Sequence, residues 1–233
     1  MARVLLTRPR AQSEAFAREL AEDGIETLIW PVIEIVDVPY DPPPGDVQAV
    51  AFTSATAVRR LSTVLDTPAF CVGAATAKAA RDVGFVDVVD AKSDAGELAA
   101  VIGQRLDPND GPIWWPCGAH KAQDLAVLLP EFRVVVTPIY EAKPTGAPGA
   151  DVIEAMNKGE IHAVALFSPR SAAIFASEIG GQNESEAYLS RMTGVAISEN
   201  AAVPLAGLGL AGVVVADRPN RAAMHAAIRG AIA

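Results

Sequence analysis

The chain has 233 residues, and 19 Lys and Arg against 28 Asp and Glu give it a formal net charge of −9. A nucleic-acid-binding surface needs a basic face, so this balance excludes DNA or RNA as the main partner. Hydrophobic residues make up 51% of the chain and mean hydropathy is +0.25, which excludes intrinsic disorder.

The amino end runs Met-Ala-Arg-Val-Leu-Leu-Thr-Arg-Pro, too short an apolar stretch for a signal peptide, and enters a strand at Val4–Thr7. Ala15, Phe16, Leu20 and Ala21 then share one side of a helix expected over Ser13–Asp23. Further strands are expected at Thr27–Trp30, Ala49–Thr53, Ala69–Val72, Asp87–Val89, Pro112–Trp115, Val134–Thr137, Ala163–Phe167, Gly194–Ile197 and Gly212–Val215. Nearly continuous apolar strands separated by Ala-rich amphipathic helices indicate parallel sheets covered on both faces. Ten such strands divide naturally into two sheets of five. No apolar run reaches the ~18 residues of a membrane span, so no membrane partner is expected. The only cysteines, Cys71 and Cys117, lie inside apolar segments and read as buried small hydrophobes in a reduced, cytoplasmic compartment.

The chain repeats itself. Gly45-Asp-Val-Gln-Ala-Val-Ala-Phe-Thr-Ser54 aligns without gaps to Gly159-Glu-Ile-His-Ala-Val-Ala-Leu-Phe-Ser168, with five identities in ten positions. Trp30-Pro31-Val32-Ile33-Glu34 likewise matches Thr137-Pro138-Ile139-Tyr140-Glu141. The order is therefore unit X, unit Y, unit X, unit Y. The halves are either sequential, or interleaved with the central Y–X pair forming one domain. Pro39–Gly45 and Lys143–Pro148 read as the linkers.

No standard catalytic constellation is present. His120, His162 and His225 lie far apart without companions at metal-ligand spacing, so no metal is expected. There is no Walker motif and no Gly-x-Ser-x-Gly elbow, and Gly207-Leu-Gly-Leu-Ala-Gly212 precedes a strand instead of following one. What remains is a set of strand-to-helix turns at Thr7-Arg8-Pro9, Thr53-Ser54, Val72-Gly73-Ala74-Ala75-Thr76, Trp115-Pro116-Cys117-Gly118, Phe167-Ser168-Pro169-Arg170 and Ser198-Glu199-Asn200. Ligands of open parallel sheets bind outside the carboxyl ends of the strands, where helix N-termini favour carboxylates and phosphates. Ser and Thr are also preferred at such turns simply because they cap helices.

Taken in order, Val4-Leu5-Leu6-Thr7-Arg8-Pro9, Phe52-Thr53-Ser54, Val72-Gly73-x-x-Thr76-Ala77, Pro138-Ile139-Tyr140-Glu141 and Leu166-Phe167-Ser168-Pro169-Arg170 resemble the uroporphyrinogen-III synthase family over almost the whole chain. The resemblance implies two flavodoxin-like parallel-sheet α/β domains, interleaved and joined by a two-stranded β connection. One domain would comprise residues 1–35 plus 142–233, and the other the inserted residues 36–141. It implies a cofactor-free lyase that cyclises the linear tetrapyrrole hydroxymethylbilane, with loss of water and inversion of the last pyrrole ring, in heme biosynthesis. Tyr140 corresponds to the family's characteristic tyrosine and would assist departure of the substrate hydroxyl. Arg8, Ser54, Gly73, Thr76, Ser168, Arg170, Ser198 and Asn200 would hold substrate carboxylates, with Lys78, Lys121 and Lys143 as weaker candidates. A cytoplasmic monomer in transient contact with the preceding pathway enzyme is implied as well. Two departures stand out: Ser198-Glu199-Asn200-Ala201-Ala202 replaces a second Gly-x-x-Thr-Ala turn, and Cys117 stands where related sequences tend to place arginine. The alternative is a non-catalytic tetrapyrrole- or anion-binding homologue with the same fold.

Overall fold

The structure, a computed structural model, describes residues 2–92, 94–120, 123–180 and 185–233. The chain forms two compact units: a terminal unit of Met1–Glu34 with Lys143–Ala233, and an inserted unit of Ile35–Ala142. The terminal unit begins with β1 (Arg3–Leu6), α1 (Arg10–Glu22) and β2 (Glu26–Ile29). The chain leaves it along β3 (Ile33–Asp37). The inserted unit continues with β4 (Ala49–Phe52), α2 (Ala55–Val58), β5 (Ala69–Cys71), α3 (Ala74–Val83), β6 (Val88–Asp90), α4 (Ala95–Arg105), β7 (Ile113–Gly118) and α5 (Leu125–Leu128). The return is β8 (Val134–Pro144). The terminal unit is then completed by α6 (Ala150–Asn157), β9 (Ala163–Leu166), α7 (Pro169–Gly180), α8 (Ser185–Leu189), β10 (Thr193–Ala196), α9 (Glu199–Ala202), β11 (Gly212–Val215) and α10 (Arg221–Ala231).

The terminal unit's sheet has the order β11-β10-β9-β1-β2, with every pair parallel. Numbered along the chain within that unit, this is the flavodoxin-like order 2-1-3-4-5. The inserted unit's sheet has the order β3-β8-β7-β4-β5-β6. Its β8-β7-β4-β5-β6 portion is parallel and repeats the 2-1-3-4-5 pattern, except that the chain enters at the third position. The sequence repeats map onto this permutation. Both ten-residue copies carry the third-position strands β4 and β9, and the proline-containing copies follow the end of β2 and lie in the later part of β8. β3 is antiparallel to β8, as shown by Val38 N donating to Ile139 O and Thr145 N donating to Val32 O.

Local chemistry explains where the sequence-based boundaries shift. α1 starts at Arg10 because Pro9 takes the cap position, and its buried seam is Ser13, Phe16 and Leu20, while Ala21 is exposed. The Ser13 hydroxyl is satisfied inside the fold by donating to the Arg8 carbonyl at 2.8 Å. Among the described residues eleven strands form instead of the ten expected, because Ile33–Asp37 pairs with β8. β7 and β8 run past Pro116 and Pro138 to Gly118 and Pro144. Pro39–Gly45 therefore leads from β3 to β4 inside the inserted unit. The paired strands β3 and β8, and not that segment, carry the chain from one unit to the other.

Alternation along the inserted sheet builds two cores. Phe52, Trp114 and Val50 pack one face under α2 and α3, while Ala51, Phe70, Ile113 and Trp115 pack the other against Leu98 and Ile102 of α4. In the terminal unit Val4, Leu6, Ala163 and Val195 pack against Phe16 and Leu20 of α1 and Met224 and Ile228 of α10. Among the described residues no helix is long and apolar enough to cross a membrane.

Gly111 sets the approach of the segments leading into β4 and β7. Its φ is +135°, and a Cβ there would lie 2.4 Å from the Asp46 carbonyl oxygen. Both the left-handed backbone and the backbone contact oppose a side chain. Gly111→Ala is expected to lower stability by about 2 kcal/mol or more, read as a fall in thermal or urea midpoint.

Candidate functional site

In each unit the strand order reverses beside the first-position strand, between β1 and β9 in one sheet and between β7 and β4 in the other. The loops at the carboxyl ends of these pairs diverge and leave a crevice. The residues singled out in the sequence fall largely at these two places.

In the inserted unit a cavity of about 240 Å³ opens beyond the β7/β4 pair, lined among others by Thr53, Ser54, Trp115, Gly118, His120 and Tyr140. Ser54 caps α2, its Oγ accepting from Thr56 N at 3.0 Å. Tyr140, half-buried on β8, donates from its hydroxyl to the same Ser54 Oγ at 3.4 Å. Trp115 Nε1 donates to Thr53 Oγ1 at 3.1 Å, fixing the neighbouring wall. The Arg60 guanidinium lies 5.8 Å from the Tyr140 ring centroid, and its Nε is 3.0 Å from Asp37 Oδ1.

Gly73 and Thr76 sit one strand further along, after β5. Gly73 is the N-cap of α3 in an extended conformation any residue adopts, and it offers no side-chain cap. A Cβ at Gly73 would meet no atom within 4 Å, so the space over this first helical turn is open. Thr76 itself is only 5% exposed. Lys78 is exposed and pairs with Asp82 at 2.7 Å, and Lys121 lies outside the described residues.

In the terminal unit Arg8 follows β1, and its guanidinium lies 4.5 Å from the ring centroid of Phe167, which follows β9. Phe167 meets Phe16 edge-on at 5.3 Å, and Arg221 lies 5.4 Å from the Phe16 ring. Arg221 is paired with Glu19 at 2.7 Å, whereas Arg8 has no carboxylate partner among the described residues. Burial, and secondarily the charge of Arg221, push Arg8 below its ordinary range, so an incoming anion would relieve both effects. Ser168 precedes α7, and its Oγ accepts from Ser171 N at 3.0 Å and lies 2.8 Å from Ser171 Oγ. Arg170 is half-buried in the first turn of that helix. Ser198 is the N-cap of α9 without a side-chain cap bond, and Asn200 is exposed on the same short helix.

The structure thus brings Ser54 and Tyr140 together on one cavity, and Arg8 and Ser168 flank Phe167 at the other reversal point. Gly73, Thr76, Ser198 and Asn200 belong to the adjoining turns. Sequence reasoning missed Arg60 as a neighbour of Tyr140, treated Trp115 and Gly118 only as parts of a turn, and weighed His120 only as a metal ligand. Lateral strand order brings these groups in, and no local motif marks it. Among the described residues no three His, Cys, Asp or Glu side chains gather into a metal-binding group.

Cys117 lines the cavity and is 2% exposed, and Cys71 is fully buried. Burial, reinforced by Asp90 and opposed by Arg81, pushes the Cys71 thiol up to about 12. Only the thiolate is nucleophilic. In the native protein Cys71 is therefore expected to resist a colorimetric thiol reagent at pH 8 and to react promptly once the chain is unfolded.

A family model described as "Uroporphyrinogen-III synthase HemD" matches residues 14–226. Comparison with curated proteins gives no match. Among solved structures, the uroporphyrinogen-III synthetase of Helicobacter pylori 26695 is 17% identical, with a TM-score of 0.65 and 99% of each chain covered. A mutant uroporphyrinogen III synthase from the extremely thermophilic bacterium Thermus thermophilus is 19% identical, with a TM-score of 0.54, covering 99% of this chain and 97% of the other.

Proposed function

The chain belongs to the uroporphyrinogen-III synthase family, lyases of tetrapyrrole biosynthesis, and from that premise we propose that it closes hydroxymethylbilane to the type III macrocycle with Tyr140 at the reacting end. The observation that carries the assignment of Tyr140 is its hydroxyl, bonded to Ser54 at 3.4 Å beside a cavity that both residues line. Loss of the substrate hydroxyl breaks a C–O bond, and the departing oxygen needs a proton. Tyr140 supplies a hydrogen-bond donor for it. The electron-rich pyrrole stabilises the carbon left behind as an azafulvene, so no strong acid or metal is demanded of the protein. Attack by the last ring at its substituted carbon gives the spirocyclic pyrrolenine whose reopening inverts that ring.

The greater part of the acceleration comes from holding a flexible octacarboxylate so that its two ends meet, an effect that reaches ~7–11 kcal/mol in well-oriented systems. Arg8, Ser168 and Arg170 in the terminal unit, and Ser54 with the α3 turn at Gly73 and Thr76 in the inserted unit, supply carboxylate contacts in this reading. Ser198 and Asn200 supply weaker ones at the α9 turn. The guanidinium of Arg8 is the strongest single anchor, because it is half-buried and has no carboxylate among the described residues to give up. A cytoplasmic monomer that takes its unstable substrate through brief contact with the enzyme producing it completes the proposal.

Purified protein supplied with hydroxymethylbilane is expected to yield the type III isomer, resolved from type I by chromatography after oxidation; exclusive type I product refutes the reading. Tyr140→Phe should lower kcat by roughly 10²-fold with KM little changed, the size of a single general-acid contribution. Arg8→Ala should instead raise KM about tenfold with a smaller effect on kcat, the loss of one charge-assisted contact.

A further inference from the structure

β7 and β8 are in parallel register from Ile113↔Val134 to Cys117↔Pro138, and then one residue is skipped so that Gly118 pairs with Tyr140. The ladder closes beyond the bulge with Ala119 N donating to Tyr140 O at 2.8 Å. This bulge seats the tyrosine ring directly against Gly118. A Cβ on Gly118 would lie 2.8 Å from Cζ, 2.9 Å from Cε2 and 3.0 Å from the hydroxyl oxygen of Tyr140. No other atom comes as near, so the space a methyl group would need at Gly118 is held by the hydroxyl-bearing end of the ring. The backbone does not itself ask for glycine here, because Gly118 is not among the residues with positive φ.

We propose that Gly118 is a positioning residue for the reaction: by lacking a side chain it lets the Tyr140 ring lie flat on β7, which aims the hydroxyl at Ser54 and into the cavity. The inference rests on the reading of Tyr140 given above. An alanine at this site is compatible with the strand, and the atoms it would meet are the far end of one side chain. The cheapest relief is for the ring to swing aside, leaving the fold intact and the hydroxyl displaced by about 1 Å. Misplacement on that scale costs up to about 10²-fold in rate.

The sequence contains three tyrosines, Tyr40, Tyr140 and Tyr188, so 3-fluorotyrosine labelling gives three ¹⁹F resonances, and Tyr140→Phe identifies the relevant one. In the full chain, Gly118→Ala is expected to shift the Tyr140 resonance while leaving those of Tyr40 and Tyr188 in place. It should also lower kcat for hydroxymethylbilane about 10- to 100-fold with KM within about twofold. The double variant Gly118→Ala/Tyr140→Phe should be no slower than Tyr140→Phe alone. An unmoved Tyr140 resonance, or a Gly118→Ala enzyme of full kcat beside an impaired Tyr140→Phe, overturns the role of Gly118 and leaves that of Tyr140 standing. Full kcat in Tyr140→Phe overturns both. If Gly118→Ala fails to fold, Gly118→Ala/Tyr140→Ala decides: recovery of the fold means that the obstacle was the ring, whereas continued unfolding means that β7 itself needs the glycine and refutes the proposal.

Discussion

Reversal of strand order in each sheet leaves carboxyl ends that no crossover helix covers, and the geometry of the candidate site depends on these two places. With β1 between β2 and β9, and β7 between β8 and β4, consecutive connections leave in opposite directions. Side chains just beyond these strands are held by a rigid ladder on one side and open on the other. That is why Arg8 and Phe167 stack at one reversal, while Gly118, Tyr140 and Ser54 converge at the other. The permutation of the inserted unit preserves the reversal although it changes the order in which the chain supplies the strands. Function in this architecture follows spatial strand position, and chain order is free to vary.

The same geometry also separates the charges of a chain whose formal net charge is −9. Arg3, at the amino end of β1, is neutralised by Glu26 at 2.9 Å and Glu160 at 2.6 Å, and Lys158 by Glu154 at 2.6 Å. These exposed pairs contribute little stability, but they show that carboxylates cluster at the amino edge of the sheet. Beyond the carboxyl end of the same strand, Arg8 keeps an aromatic neighbour and no carboxylate among the described residues. The positive charge of Arg8 is thus left uncompensated by described carboxylates beyond the carboxyl end of β1, while the acidic groups pair off at its amino end.

The parallel α/β architecture was legible in the sequence because buried strands and Ala-rich helices alternate with distinct periods. Two elements escaped for identifiable reasons. Ile33–Asp37 is five residues long and is followed by prolines, so its strand character comes from pairing with β8. Pro116 and Pro138 look like strand ends, yet Pro116 pairs with Thr137 and Pro138 with Cys117, and the ladder continues through both. Ser54 and Tyr140 could be named from local sequence, because a strand-end serine and a tyrosine after Pro-Ile are visible one strand at a time. Trp115, Arg60 and the seat at Gly118 could not, since each acquires its role from a neighbour 22 to 80 positions away that only the lateral order of strands supplies.

The bulge between β7 and β8 is where core and site are reconciled. Strict alternation would send Ile139 and Tyr140 to opposite faces of the sheet, so a tyrosine aimed away from the Phe52–Trp114 core would be the consequence of burying Ile139 in it. Instead both consecutive residues pack against that one cluster, Ile139 1% exposed within it and Tyr140 at its margin. Skipping one residue in the ladder turns the second side chain back toward the first's face and sets it opposite Gly118, at the carboxyl end of β7. The ring also rests on β7 at that point, and this close contact requires the facing residue to have no Cβ. Bulge and glycine therefore form one device: the bulge brings the tyrosine to the carboxyl end without unpacking the core, and the glycine leaves it room to lie there with its hydroxyl toward the cavity.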